Sequence, residues 1–139
     1  MKFLHLADLH FGKTVNGFSM LEDQRYIIGQ IYDYIRNNDI DAVLVAGDVY
    51  DRSIPGAEAV TLFDDFLTQL RALGTDVFMI SGNHDSGERL AYAGRLLARE
   101  HIYVSCHIQE TIPKVTVYDS CGPVNIYMLP FLKPMTVRA

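Results

Sequence analysis

The stretch Ala42-Val43-Leu44-Val45-Ala46-Gly47-Asp48-Val49-Tyr50-Asp51 decides the fold. Five apolar residues followed at once by Gly-Asp read as a short buried strand emptying into a polar loop. Outward from it, Lys2 to Ala7, Val77 to Ile80 and Ile102 to Val104 have the same character. Three amphipathic stretches separate these runs. The first sets Leu21, Ile28, Ile31 and Ile35 on one helical face, and the second, Ala57 to Leu73, carries Val60, Phe63, Phe66, Leu67 and Leu70 and stops at Gly74. The third, about Glu88 to Arg99, carries Leu90, Ala93, Leu96 and Leu97. Strand and helix alternating three times before a fourth strand predict an α/β fold with a parallel sheet, βαβαβαβ. After Cys106 the pattern changes: Lys114 to Tyr118 and Val124 to Leu129 alternate in polarity across a loop at Asp119 to Pro123, which predicts a β-hairpin.

A chain of 139 residues is one domain's worth, with 49% hydrophobic and 21% charged residues. That balance excludes a disordered tail or a fibrous repeat. No apolar run reaches the roughly 18 residues of a membrane span. The opening MKFLHLADLH is too short in apolar residues for a signal peptide, so a cytoplasmic location is expected. The net charge of −5 is not that of a domain that grips nucleic acid with lysine and arginine alone. Any such role needs positive charge from bound metal ions or a partner. Cys106 and Cys121 form no CxxC pair and are expected to be ordinary thiols.

In open α/β sheets, chemistry gathers at the carboxyl ends of the strands. Three polar clusters fall there: Asp8-Leu9-His10, Gly47-Asp48-Val49-Tyr50-Asp51 and Gly82-Asn83-His84-Asp85. Asp8 and His10, two apart on extended chain, are expected to point the same way and grip one ion. Asp48, on the middle loop, is placed to bridge two. Carboxylate, imidazole and amide oxygen suit Mn²⁺, Mg²⁺, Fe²⁺ or Zn²⁺ rather than a thiophilic ion. Gly47 and Gly82 permit the backbone to turn tightly beside the site. A lone Asp or Asn after a strand is commonly a turn former. A fixed tetrapeptide such as GNHD arises by chance in about 1 in 1000 chains of this length, so its conjunction with DxH and GDxxD favours a metal site.

The ordered set DxH, GDxxD and GNHD resembles the opening half of the calcineurin-like metallophosphoesterase pattern. The finer text, DLHFGK (8–13), AGDVYDRSIP (46–55), SGNHDS (81–86) and LPFLKP (129–134), is similar to that of SbcD-type DNA double-strand-break repair nuclease subunits. Ser53 and Asp85 depart from the GDxxDRG and GNHE of protein serine/threonine phosphatases. The resemblance implies a two-sheet sandwich flanked by helices. It implies two divalent ions, Mn²⁺ foremost, with Asp8 and His10 on the first metal, Asp48 bridging both and Asn83 on the second. It further implies His84 as proton donor to the leaving oxygen or stabiliser of the transition state, with Asp51 orienting His84.

The same pattern requires a further isolated histidine and a Gly-His-x-His pair, which do not occur here. His5, His101 and His107 lack the context and are expected to be structural or solvated. Residues 1–139 are therefore expected to be the amino-terminal part of a metallophosphoesterase nuclease domain, with weak single-metal occupancy or none, and inactive alone. By resemblance, the partners are DNA, an SbcC-like coiled-coil ATPase and a second copy docked through helices near 57–73 and 88–99. Phe63, Phe66 and Leu96 are candidate dimer contacts, while Phe11 and Lys13 are candidate DNA contacts. The tail strands are expected to bare an apolar face. Two other functions fit the same residues: a small-molecule or cyclic-nucleotide phosphodiesterase, and a non-catalytic DNA-binding or scaffold protein.

Overall fold

The computed structural model describes residues 1–107 and 110–134, so the last residues of the expected domain lie outside the described part. In chain order the elements are β1 (Phe3–Leu6), β2 (Thr14–Val15), β3 (Phe18–Ser19), α1 (Leu21–Asn38), β4 (Ala42–Ala46), α2 (Ala57–Ala72), β5 (Asp76–Ile80), α3 (Gly87–Leu90), α4 (Gly94–Leu97), β6 (Ile102–Ser105), β7 (Lys114–Asp119) and β8 (Gly122–Tyr127). Strands β1, β4, β5 and β6 form one parallel sheet in that order. The fold is the expected α/β arrangement, with β2 and β3 as an added antiparallel ribbon ahead of α1.

Strand order that follows chain order has a consequence. Crossovers of a single hand place the helices on one face of the sheet. Val43, Val45, Val77 and Met79 accordingly pack with Ile28 and Ile35 of α1 and with Phe63, Phe66 and Leu70 of α2. Alternate residues point the other way, and there Ala42 and Phe78 meet Met128, with Leu44, Ile80, Val115, Val117 and Ile126 around them. The β7–β8 hairpin thus covers the face that the helices leave. Its inner side chains are packed on the sheet, which corrects the expectation of a bared apolar face; Tyr118 and Tyr127 point outward. Phe66 and Leu70 are wholly buried, each contributing roughly 1.5–3 kcal/mol of burial.

Local chemistry sets the boundaries. Glu22 and Asp23 in the first turn of α1 and Arg36 in its last complement the helix dipole. Gly74 at φ +78° ends α2 in the left-handed conformation that glycine reaches at little cost. The third helix differs from expectation. It is two single turns, α3 and α4, followed by a 3₁₀ turn at Ala98–Glu100. Ala93 sits at φ +57° ahead of Gly94 and breaks the run, leaving Leu90 in the core and Leu96 exposed. The hairpin turn is also tighter than expected. Asp119 pairs with Gly122, and the Asp119 carboxylate accepts from the Cys121 N–H at 2.8 Å, so only Ser120 and Cys121 form the turn.

Candidate metal centre

The loops leaving β1 and β4 stay hydrogen-bonded after the strands end. Asp8 N–H donates to the Gly47 carbonyl (3.2 Å), His10 N–H to that of Asp48 (2.9 Å) and Phe11 N–H to that of Val49 (2.8 Å). The Asp51 N–H returns to the Phe11 carbonyl at 3.2 Å. Gln24 of α1 closes the first loop from behind: its amide donates to the carbonyls of Leu9 (3.1 Å) and His10 (2.7 Å) and accepts from Gly12 N–H (3.1 Å). Phe11 pins this loop to the core, its ring 5.8 Å from that of Phe66 and 6.1 Å from that of Phe63.

The third loop is tied to the second by a carboxylate. Asp85 accepts from Val49 N–H (3.2 Å), Tyr50 N–H (3.0 Å) and Gly82 N–H (2.8 Å). Gly47 and Gly82 sit back to back. A Cβ on Gly82 would lie 2.0 Å from Asp48 Oδ1, and one on Gly47 would lie 2.8 Å from the Gly82 Cα. Neither position has room for a side chain, which is the physical reason for glycine in both loops.

Asp8, His10 and Asp48 each offer a donor atom within 4.8 Å of the others. His10 Nε2 stands 3.7 Å from Asp8 Oδ1 and 3.8 Å from Asp48 Oδ2. Those gaps are too long for hydrogen bonds but near the spacing of ligands sharing one ion at about 2.0–2.2 Å. Among the described residues, neither carboxylate pairs with a lysine or arginine, so a divalent cation fits the donor set and the charge. The other oxygen of buried Asp48 accepts from His84 N–H at 3.0 Å. All three candidate ligands hold left-handed backbone: Asp8 at φ +55°, His10 at +46° and Asp48 at +50°. Such conformations cost about 1–3 kcal/mol each and persist where surroundings over-determine them, often at functional sites. The expectation of an extended Asp8-Leu9-His10 is therefore corrected: the side chains converge because the loop curls against Gly47 and Asp48.

Asn83 lines the same cavity of about 310 Å³ as Asp8 and Asp48. Leu129, Pro130 and Phe131 form another wall, placed there by the Phe131 N–H bonded to the Ser81 carbonyl at 2.9 Å. The His84 ring stands edge-on to that of His10, with centroids 5.0 Å apart. Its Nδ1 meets the main-chain carbonyl of Asp51 at 3.1 Å, whereas the Asp51 carboxylate lies toward His10 Nδ1 at 3.4 Å. The contact expected between His84 and the Asp51 side chain is thus made by the backbone of that residue.

Two further expectations change. Phe11 is buried, and so are Phe63 and Phe66, which removes the first as a DNA contact and the other two as dimer contacts. Lys13 and Leu96 are exposed. His101 pairs with Asp76 (3.3 Å) and His107 approaches Glu88 (3.7 Å), while His5 is exposed on β1. Sequence reasoning missed Gln24 altogether and, for Asp85, the loop-tying role, because bonds to distant main chain leave no periodic signal.

Two strand-end loops bring Asp8, His10 and Asp48 within 4.8 Å of one another, and the third sets Asn83 in the wall of the cavity that Asp8 and Asp48 line, an arrangement of the metallophosphoesterase type. The chain belongs to the calcineurin-like phosphoesterase family, whose profile matches residues 1–130. Within it, the chain is similar to the SbcD subunit of the nuclease SbcCD from Staphylococcus saprophyticus, 36% identical over 132 residues, and to its namesake from Staphylococcus epidermidis, 35% identical over 132 residues. Each alignment covers 94% of this chain and 34% of the relative, so the chain spans about a third of their length. No helix among the described residues is long and apolar enough to cross a membrane.

Proposed function

We propose that residues 1–139 are the amino-terminal part of a metallophosphoesterase nuclease domain. The longer protein then hydrolyses phosphodiester bonds of DNA in repair and recombination in the cytoplasm, alongside an SbcC-like ATPase. The observation that carries this reading is the convergence of Asp8, His10 and Asp48 within 4.8 Å, with no basic side chain paired to either carboxylate among the described residues.

Asp8 and His10 would hold one divalent ion, Asp48 would face both ions of a pair, and Asn83 would hold the second. Mn²⁺ is the first candidate. Bound divalent ions supply charge neutralisation at phosphate and lower the pKa of water. Asp48 is fixed for its part by the His84 N–H, which occupies one of its oxygens. His84 would give a proton to the departing sugar oxygen, a poor leaving group until protonated. The Asp51 carbonyl can only accept, so His84 Nδ1 carries a hydrogen and Nε2 is the atom left to exchange one with substrate. A second copy would dock near 57–73 and 88–99. Exposed Ile54, Val60, Tyr92 and Leu96 support this contact, and Val60 and Tyr92 line one shallow groove.

Calorimetric titration of this chain with Mn²⁺ tests the reading. Weak binding of a single ion is expected, with no turnover of DNA ends; tight binding of two would show that the cage needs nothing beyond these residues. In the longer protein, His84→Ala should keep metal affinity and remove most hydrolysis. Preference for cyclic AMP over DNA ends would move the assignment to a cyclic-nucleotide phosphodiesterase.

A further inference from the structure

The two nitrogens of His10 have different surroundings. Nε2 faces Asp8 and Asp48, the metal side. Nδ1 is enclosed and makes no hydrogen bond among the described residues. Among the described residues its one ionic neighbour is Asp51, whose Oδ1 stands 3.4 Å away. The Asp51 N–H is meanwhile tied to the carbonyl of Phe11, the residue after His10, at 3.2 Å, so main chain holds the carboxylate in register with the ring. The same residue offers His84 only its carbonyl oxygen.

We infer that the Asp51 carboxylate is a positioning residue for the metal-ligating face of His10, and that it does not orient His84. The inference rests on the metal-centre reading above. Neutral imidazole carries one N–H, and a ligand must offer a lone pair at the nitrogen that meets the metal. Where an ion is held at Nε2, that nitrogen must offer its lone pair, and the carboxylate behind Nδ1 is then placed to accept the hydrogen left on the other nitrogen. A small side-chain rotation converts the 3.4 Å approach into a hydrogen bond. Outer carboxylates of this kind fix ring orientation and raise ligand basicity, and their loss typically costs about 10–100-fold in metal affinity.

The test compares this chain with its Asp51→Ala, Asp51→Asn and His84→Ala variants, each checked for folding by circular dichroism. Both Asp51 variants keep the main-chain carbonyl that meets His84. Mn²⁺ affinity should fall about 10–100-fold in Asp51→Ala, recover partly in Asp51→Asn, whose amide oxygen still accepts from Nδ1–H, and stay unchanged in His84→Ala. If Asp51→Ala does not fold, the isosteric Asp51→Asn carries the comparison through the smaller affinity loss. Affinity unchanged in Asp51→Ala, or a loss in Asp51→Asn equal to that in Asp51→Ala, overturns this inference alone. Failure of the unsubstituted chain to take up any Mn²⁺ overturns the metal-centre reading, and this inference with it.

Discussion

Asp85→Ala removes the carboxylate that joins the β4 loop to the β5 loop. Three main-chain N–H groups, of Val49, Tyr50 and Gly82, lose their acceptor at once. Hydrogen bonds to an ionised group contribute about 1.5–3 kcal/mol each, and these three are only part-buried, so the low end applies. Water partly replaces what is lost, giving a net destabilisation of roughly 3–4 kcal/mol. Asp85→Asn separates bond loss from shape. One amide oxygen in the place of Oδ2 keeps the Val49 and Gly82 bonds and forfeits that of Tyr50, for about 1.5 kcal/mol.

Urea unfolding followed by far-ultraviolet circular dichroism reads these differences. With a slope of about 1.5–2 kcal/mol per molar, the midpoint should fall by about 2 M in Asp85→Ala and by less than about 1 M in Asp85→Asn. Amide exchange should quicken at Val49, Tyr50 and Gly82 in the alanine variant before it does so in the core strands. Equal midpoints for the two variants, or an alanine variant within about 0.5 kcal/mol of the parent, would refute the view that this carboxylate holds the loops together.

Gly82→Ala places a Cβ 2.0 Å from Asp48 Oδ1 and 2.3 Å from its N, so the Asp48 loop must move by about 1 Å to restore ordinary contact. A loss of about 1–3 kcal/mol of stability and weakened Mn²⁺ uptake are expected, while Gly29→Ala, with open space around its Cβ in α1, should gain roughly 0.5–1 kcal/mol. An alanine at 82 that leaves Mn²⁺ affinity intact would contradict the close packing of these loops. Burial pushes the Cys106 thiol up to about 11, which leaves about 1 in 1000 as thiolate at pH 8. The raised value favours the neutral thiol, so its alkylation should climb about tenfold per pH unit up to that value and lag exposed Cys121. Equal rates for the two at pH 8, followed by mass spectrometry, would count against it.

What could be read from the sequence divides along a physical line. The strand at 42–46 and the helices starting at Leu21 and Ala57 were legible because burial on one or both faces writes a period into the residues themselves. The break at Ala93 was not, since the spacing of Leu90, Ala93 and Leu97 imitates a helical face and only the left-handed turn before Gly94 interrupts it. The meeting of the three loops was legible from the rule that chemistry collects at strand ends. The curl that aims Asp8 and His10 was not, because it comes from bonds to Gly47, Asp48 and Gln24, contacts distant in the chain.

Phe11 shows the same limit from the other side. Standing next to His10, it has a position suggestive of substrate contact, yet adjacent side chains diverge, and the ring that faces Phe66 serves to hold its neighbour still. A motif thus tells which residue types share a site, and tertiary pairing decides which atom of each does what. Asp51 is the sharpest case. One residue presents a carbonyl to one imidazole and a carboxylate to another, and no spacing rule distinguishes those two groups. The dyad implied by resemblance and the pairing in this structure therefore differ in the side chain alone, which is why substitutions that spare the carbonyl can separate them.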